Sequence, residues 1–186
     1  MIIPFEKHFF LDLLHNQKVF AYPTEAVFGL GGSPFSHHVY EEILRLKGAR
    51  RPEQGLLLVA ASWTQCTDWV VDLDSNMIKH LQRWAETRPT TFILPATHLV
   101  PDYLRDTATK RIAIRVSTHP LVKQLCEWAN SPLISTSANP SGKSPARSLT
   151  EIQHYFPDLP IMAGELGNES RPSRLLDVAN ATIIRD

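Results

Sequence analysis

Cysteine is scarce in this chain: among 186 residues there are two, Cys66 and Cys126, with no pair spacing typical of a metal site. A disulfide framework and a dedicated zinc site have no basis here, and reduced thiols are expected. No segment approaches the roughly 20 consecutive apolar residues that span a bilayer. The start, Met1 to Phe10, carries Pro4, Glu6, Lys7 and His8 in place of a basic end and an apolar run, so no signal peptide is expected. These absences predict a cytoplasmic protein without a membrane partner. Charge of either sign is not in excess either, because 19 Lys and Arg balance 19 Asp and Glu. Bulk attraction to nucleic acid is therefore not indicated, and any polyanion site must be a local patch. The spacings favour no Ser-His-Asp arrangement, and there is no G-x-S-x-G elbow and no H-E-x-x-H pair. Internal repeats and low-complexity linkers are missing too.

What is present reads as an ordinary soluble globular domain over residues 1–186, with 43% hydrophobic and 20% charged residues. Helical spacing of apolar residues predicts helices over Phe9–Asn16, His37–Leu46, Met77–Trp84 and Pro120–Trp128. Ser148–Phe156 joins them, opened by a Ser-Leu-Thr-Glu capping pattern. Strands are predicted at Lys18–Tyr22, where Pro23 stops the run, and at Leu56–Ala61, Thr90–Pro95, Arg111–Val116 and Leu133–Ser135. Leu175–Val178 and Thr182–Ile184 form a candidate closing pair. Alternating helices and strands predict an α/β (α+β) domain built on one principal sheet. Trp63, Trp69, Trp84 and Trp128 are expected to pack, and His119 to start a helix.

Five segments could carry chemistry. Ala21-Tyr-Pro-Thr-Glu-Ala-Val-Phe-Gly-Leu-Gly-Gly32 puts Thr24 at a strand end followed by three glycines, which fits a tight turn or a close backbone approach to a ligand. Lys47-Gly-Ala-Arg50-Arg51 gathers cations suited to phosphate or carboxylate, or to a solvated loop. Arg111 and Arg115 share one face of a strand while Ile112 and Ile114 enter the core, which suits surface ion pairs as well as an anion site. Pro132-Leu-Ile-Ser-Thr-Ser-Ala-Asn-Pro140 ends a strand in hydroxyl and amide groups. Gly142-Lys143-Ser144 is no P-loop, since Ser137 stands where that motif needs glycine. Arg171-Pro-Ser-Arg-Leu-Leu-Asp177 reads as a capped turn. Several cations and hydroxyls at strand ends, with no evident nucleophile, suit chemistry run by positioning and charge stabilisation.

The order of Tyr22-Pro-Thr-Glu25, Lys47 with nearby arginine, Arg111 to Arg115, Ser135-Thr-Ser-Ala-Asn139 and Pro172-Ser-x-Leu-Leu-Asp177 resembles the YrdC family over nearly the whole chain, in its short single-domain form. The resemblance implies a twisted mixed sheet flanked by helices around a positively charged concave cavity. It implies synthesis of threonylcarbamoyl-AMP from L-threonine, bicarbonate and ATP with release of pyrophosphate, with Mg²⁺ accompanying ATP and no dedicated protein metal site. The product would serve the threonylcarbamoyl modification of adenosine 37 in tRNAs reading codons that begin with A. Carried over by position, Thr24, Arg115, Ser137 and Ser173 would hold threonine, and Lys47, Arg50, Arg111, Ser135, Asn139 and Arg185 would hold ATP or bicarbonate. Lys47, Arg50 and Arg115 would carry the catalytic roles. Lys47-Gly-Ala-Arg-Arg-Pro52 is longer than the family's Lys-x-Arg-Pro, so Arg50 or Arg51 fills the arginine position. Implied partners are the threonylcarbamoyl-transferase proteins that receive the adenylate, with tRNA a further candidate. A non-catalytic double-stranded RNA- or tRNA-binding or ribosome-maturation factor is the alternative. Neutral net charge and the lack of RNA-stacking motifs weigh against it.

Overall fold

In the computed structural model the described residues are 1–48 and 56–186. They form ten strands in one mixed sheet and five α-helices. The strands are β1 (Ile2–Ile3), β2 (Phe20–Pro23), β3 (Phe28–Gly32), β4 (Leu57–Ala60), β5 (Thr90–Pro95), β6 (Arg111–Val116), β7 (Leu133–Ser137), β8 (Ile161–Met162), β9 (Arg174–Asp177) and β10 (Thr182–Arg185). The helices are α1 (Lys7–His15), α2 (His37–Lys47), α3 (Ser75–Ala85), α4 (Pro120–Ala129) and α5 (Leu149–Tyr155). Across the sheet the order is β1-β8-β2-β3-β7-β4-β6-β5-β9-β10. Pairs β1–β8, β2–β8, β4–β6 and β5–β9 are parallel and the others antiparallel, so the expected mixed sheet is present.

Side-chain alternation gives the sheet two unlike faces. On one, Leu30, Leu58, Phe92, Ile114, Ile134 and Leu176 join Val39 and Ile43 of α2, Leu81 of α3 and Ile152 of α5 in the larger core. On the other, Phe20, Tyr22, Val59 and Leu133 pack against Phe10 of α1 and Leu121, Val122 and Leu125 of α4. These two helices cover only part of that second face. The rest, where small or polar residues replace the aliphatic ones, is left concave.

Each predicted helix is present within a few residues of its predicted ends. Ser148 accepts from the Glu151 amide while Glu151 reaches back to the Ser148 amide, so the capping box forms. His119 is the N-cap of α4, and Pro120 occupies its first turn, as expected. The four tryptophans pack on the two cores. The strands depart further from expectation. The glycine-rich Phe28–Gly32 segment is a fully buried strand, paired on one side to β2 and on the other to β7. That second pairing carries β7 two residues beyond its predicted end, to Ser137. Pro23 closes β2 from inside the strand, opposite Phe28. Among the described residues no helix is long and apolar enough to cross a membrane.

Candidate functional site

The concave part of the second face is a cavity of about 730 Å³. Its floor follows from the alternation: β3 contributes Gly29, β4 Leu57, β6 Ala113, β7 Ser135 and Ser137, and β5 Thr91. Small residues here leave volume where aliphatic side chains would have filled it. Lys47, Arg111, Arg115, Arg171 and Arg185 line it, against the single carboxylate Glu25 among the described lining residues. The cavity is therefore positive although the chain is neutral.

Thr24, Lys47, Arg111, Arg115 and Ser135 all border this cavity. So do Ser137, Asn139, Ser173 and Arg185, which brings every described site residue predicted from the sequence to one place. Arg50 and its alternative Arg51 lie outside the described residues.

Lys47 is delivered by the last turn of α2, and Gly48 beyond it has φ of 70°, a conformation that favours glycine at a helix end. Its ammonium is buried and donates to the Ser137 carbonyl at 2.7 Å and to Asn139 Oδ1 at 3.0 Å. The Ser137 hydroxyl donates to the same Asn139 oxygen at 2.7 Å. Asn139 in turn donates its amide to the Pro140 and Lys143 carbonyls, which fixes the loop after β7. A lysine, a serine and an asparagine from two distant segments thus form one hydrogen-bonded unit.

Arg111 and Arg115 lie on the same face of β6, as the alternation predicted, and both point to the cavity. Surface ion pairing is not their role. Arg111 donates to both Asp177 oxygens at 2.7 and 2.8 Å, and Asp177 is buried. Arg115 faces Glu25 at 3.5 Å with both side chains at least nine-tenths buried. Glu25 Oε1 accepts from the Ser117 hydroxyl at 2.6 Å and the Thr118 amide at 3.2 Å. Burial pushes the Glu25 carboxyl up, but the Arg115 charge and these donors outweigh it and hold it below its ordinary value.

Thr24 closes the hairpin between β2 and β3, its hydroxyl donating to the Val27 carbonyl at 2.6 Å. The chain around Gly167 is strapped on this turn by amides of Gly167 and Glu169 that donate to the Thr24 and Glu25 carbonyls. Gly167 is required there, since a Cβ would sit 2.8 Å from the Glu25 carbonyl oxygen. Across the cavity the Ser173 hydroxyl is 2.8 Å from that of Thr91, and Arg185 donates to the Ser173 carbonyl at 2.8 Å. Burial and the neighbouring Arg115 and Arg88 push the Arg185 guanidinium below its ordinary value.

Sequence reasoning gave no role to Glu25, Asp177 or Thr91. The first two end the Tyr-Pro-Thr-Glu and Leu-Leu-Asp motifs, so their positions stand out in the sequence while their partners do not. Thr91 stands in an apolar strand and carried no signal at all.

The Sua5/YciO/YrdC family model, described as "Telomere recombination", matches residues 12–186. A threonylcarbamoyl-AMP synthase of Dichelobacter nodosus is 47% identical over 90% of this chain and 87% of its own length. One from Serratia proteamaculans is 43% identical over 94% of this chain and 93% of its own. Among solved structures, E. coli YciO superposes with a TM-score of 0.86 at 20% identity over 100% of this chain and 95% of its own. P. abyssi Sua5 complexed with L-threonine gives 0.84 at 23% identity over 96% of this chain, which spans 54% of that longer protein.

Proposed function

The chain belongs to the Sua5/YciO/YrdC family, and from that premise we propose that it is a threonylcarbamoyl-AMP synthase. It joins L-threonine, bicarbonate and ATP into threonylcarbamoyl-adenylate with release of pyrophosphate, for the adenosine 37 modification of tRNA. One observation carries the reading: nine residues assigned to these substrates by motif position border a single cationic cavity of about 730 Å³. That volume lies in the upper half of the roughly 300–1,000 Å³ range of small-ligand sites, room for a nucleotide beside an amino acid.

In this reading the threonine amine adds to bicarbonate with loss of water, giving a carbamate. A carbamate oxygen then attacks the α-phosphorus of ATP, and the bond to the β-phosphate oxygen breaks as pyrophosphate leaves. No protein nucleophile takes part. Arg115, its guanidinium steadied by Glu25, meets the threonine carboxylate, while Thr24, Ser137 and Ser173 surround its side chain. Lys47, Arg111 and Arg185 offset the phosphate charge that grows on the leaving group, with Ser135 and Asn139 supplying hydrogen bonds. Arg50 belongs to the same group by its place in the motif.

Bound with ATP, Mg²⁺ would supply charge compensation beside that of Lys47, Arg111 and Arg185. Glu25 and Asp177 are committed to Arg115 and Arg111, and no group of three His, Cys, Asp or Glu that could hold a metal occurs among the described residues. The adenylate passes to threonylcarbamoyl-transferase proteins, with tRNA a candidate contact.

The test is direct. With ATP, Mg²⁺, labelled bicarbonate and L-threonine, the protein should release pyrophosphate and form a labelled adenylate only when threonine is present. Lys47→Ala and Arg115→Ala should each lower turnover by roughly a hundredfold or more while circular dichroism is unchanged. Threonine-independent pyrophosphate release, or full turnover in both variants, would defeat the proposal.

A further inference from the structure

Tyr22 opens the Tyr-Pro-Thr-Glu motif but does not border the cavity, and the mechanism above does not use it. It is fully buried, and its hydroxyl donates to Ser135 Oγ at 2.6 Å, joining residues 113 positions apart. The geometry of this bond is unusual for a sheet. Tyr22 is on β2 and Ser135 on β7, with β3 between them. The phenol reaches across β3 because that strand presents only Gly29 and Gly31 on this face. A Cβ on Gly31 would lie 2.7 Å from the Tyr22 ring, and one on Gly29 would lie 3.1 Å from it. Phe20 backs the ring, with centroids 5.7 Å apart.

Two hydroxyls that share one hydrogen bond hold two protons, and only one can lie between them. Tyr22 is the donor. Its proton stays near the ring plane, and burial keeps the phenol above its ordinary value, hence protonated. Ser135 Oγ accepts that proton, and Ser135 makes no second side-chain hydrogen bond among the described residues. Its own proton is left to find an acceptor, and Ser135 is among the residues that border the cavity.

We infer that Tyr22 is a positioning residue: by donating to Ser135 it fixes that hydroxyl as a donor aimed into the cavity, toward an acceptor oxygen of the bound nucleotide. Gly29, Gly31 and the tyrosine of the first motif then serve one end, the orientation of a serine in the second. This rests on Ser135 being a nucleotide contact, as proposed above.

Steady-state kinetics and direct ATP titration of Tyr22→Phe, Ser135→Ala and the double variant test it. Tyr22→Phe keeps the ring and lets Ser135 turn freely. It should weaken ATP binding and raise KM for ATP by roughly three- to tenfold, the worth of one oriented neutral hydrogen bond, with KM for threonine unchanged. Ser135→Ala should do the same, and the double variant should be no worse than Ser135→Ala alone. Wild-type ATP affinity in Tyr22→Phe, additive losses in the double variant, or an equal rise in KM for threonine would overturn the inference. Should Tyr22→Phe not fold, Ser135→Thr replaces it. That variant keeps the hydroxyl and should bind ATP better than Ser135→Ala, and equal affinity of the two would count against Tyr22. Wild-type protein that neither binds ATP nor forms adenylate would instead overturn the proposed function.

Discussion

A buried carboxylate 3.5 Å from a buried guanidinium lies beyond hydrogen-bond reach, and Glu25 Oε2 and Arg115 Nε have no hydrogen-bond partner. The pair is held instead through Glu25 Oε1, which the Ser117 hydroxyl and Thr118 amide fix from the loop between β6 and α4. Glu25 therefore ties three pieces of chain together and sets the field in which Arg115 sits. Replacing it with glutamine keeps the shape and the Ser117 contact but leaves the buried cation uncompensated. Glu25→Gln should cost about 1.5–3 kcal/mol near neutral pH. The carboxyl is held below its ordinary value of 4.5, so the folded state favours the charged form. Its contribution is present above that ordinary value and is lost as pH falls through the lower folded value. Denaturation midpoints of wild type and Glu25→Gln should thus differ near pH 7 and converge in acid below the ordinary carboxylate range. A gap that persists unchanged in acid would mean that packing, not charge, explains the loss. Glu25 was not assigned from the sequence because its partner lies 90 positions away, and residue types alone do not reveal a pair at that separation.

The elements divide sharply in how readable they were. All five helices announce themselves through apolar spacing and caps, which are local signals. The strand Phe28–Gly32 does not, since three of its five residues are glycines, which weaken a strand in isolation. It exists because β2 and β7 pair with it on both sides and because its bare face receives the Tyr22 ring. The two-residue strands β1, at the sheet edge, and β8, between it and β2, are equally silent in sequence, being defined only by each other and by β2. Gly31→Ala should therefore be destabilising although the residue is in ordinary strand conformation. Its Cβ would meet the Tyr22 ring at 2.7 Å and the Ile134 carbonyl oxygen at 2.8 Å, and the backbone oxygen cannot swing aside. The cost of such overpacking is about 1–3 kcal/mol, read as a lowered urea midpoint with an unchanged m-value. A midpoint equal to wild type would show that the hairpin and β7 can part to admit a methyl group, and the close packing under the cavity floor would lose its support.

Over the whole molecule, the site was legible as a list of residues and illegible as a shape. Thr24, Lys47, Arg115, Ser137 and Ser173 stood in separate motifs, and only the sheet order, with β3 and β7 beside β4 and β6, lays them around one hollow. The same order separates charge. The chain has zero formal net charge, yet the described cavity lining holds five cations and one carboxylate. Buried carboxylates face two of those cations, Arg111 and Arg115, and the lining still carries more positive than negative groups. The resulting field is local, so it acts over about one Debye length, roughly 10 Å at 0.1 M salt. A nucleotide that still carries net negative charge with its Mg²⁺ should feel it strongly, and zwitterionic threonine hardly at all. Raising sodium chloride from about 50 to about 500 mM should therefore increase KM for ATP by roughly three- to tenfold and change KM for threonine by less than about twofold. If both constants moved together, salt would be acting on the fold or on a shared step, and the cavity's charge would not be what selects the nucleotide. If neither moved, the contacts to ATP would have to be desolvated pairs closed off from the screening ions, with the nucleotide sealed beneath the side chains at the cavity mouth.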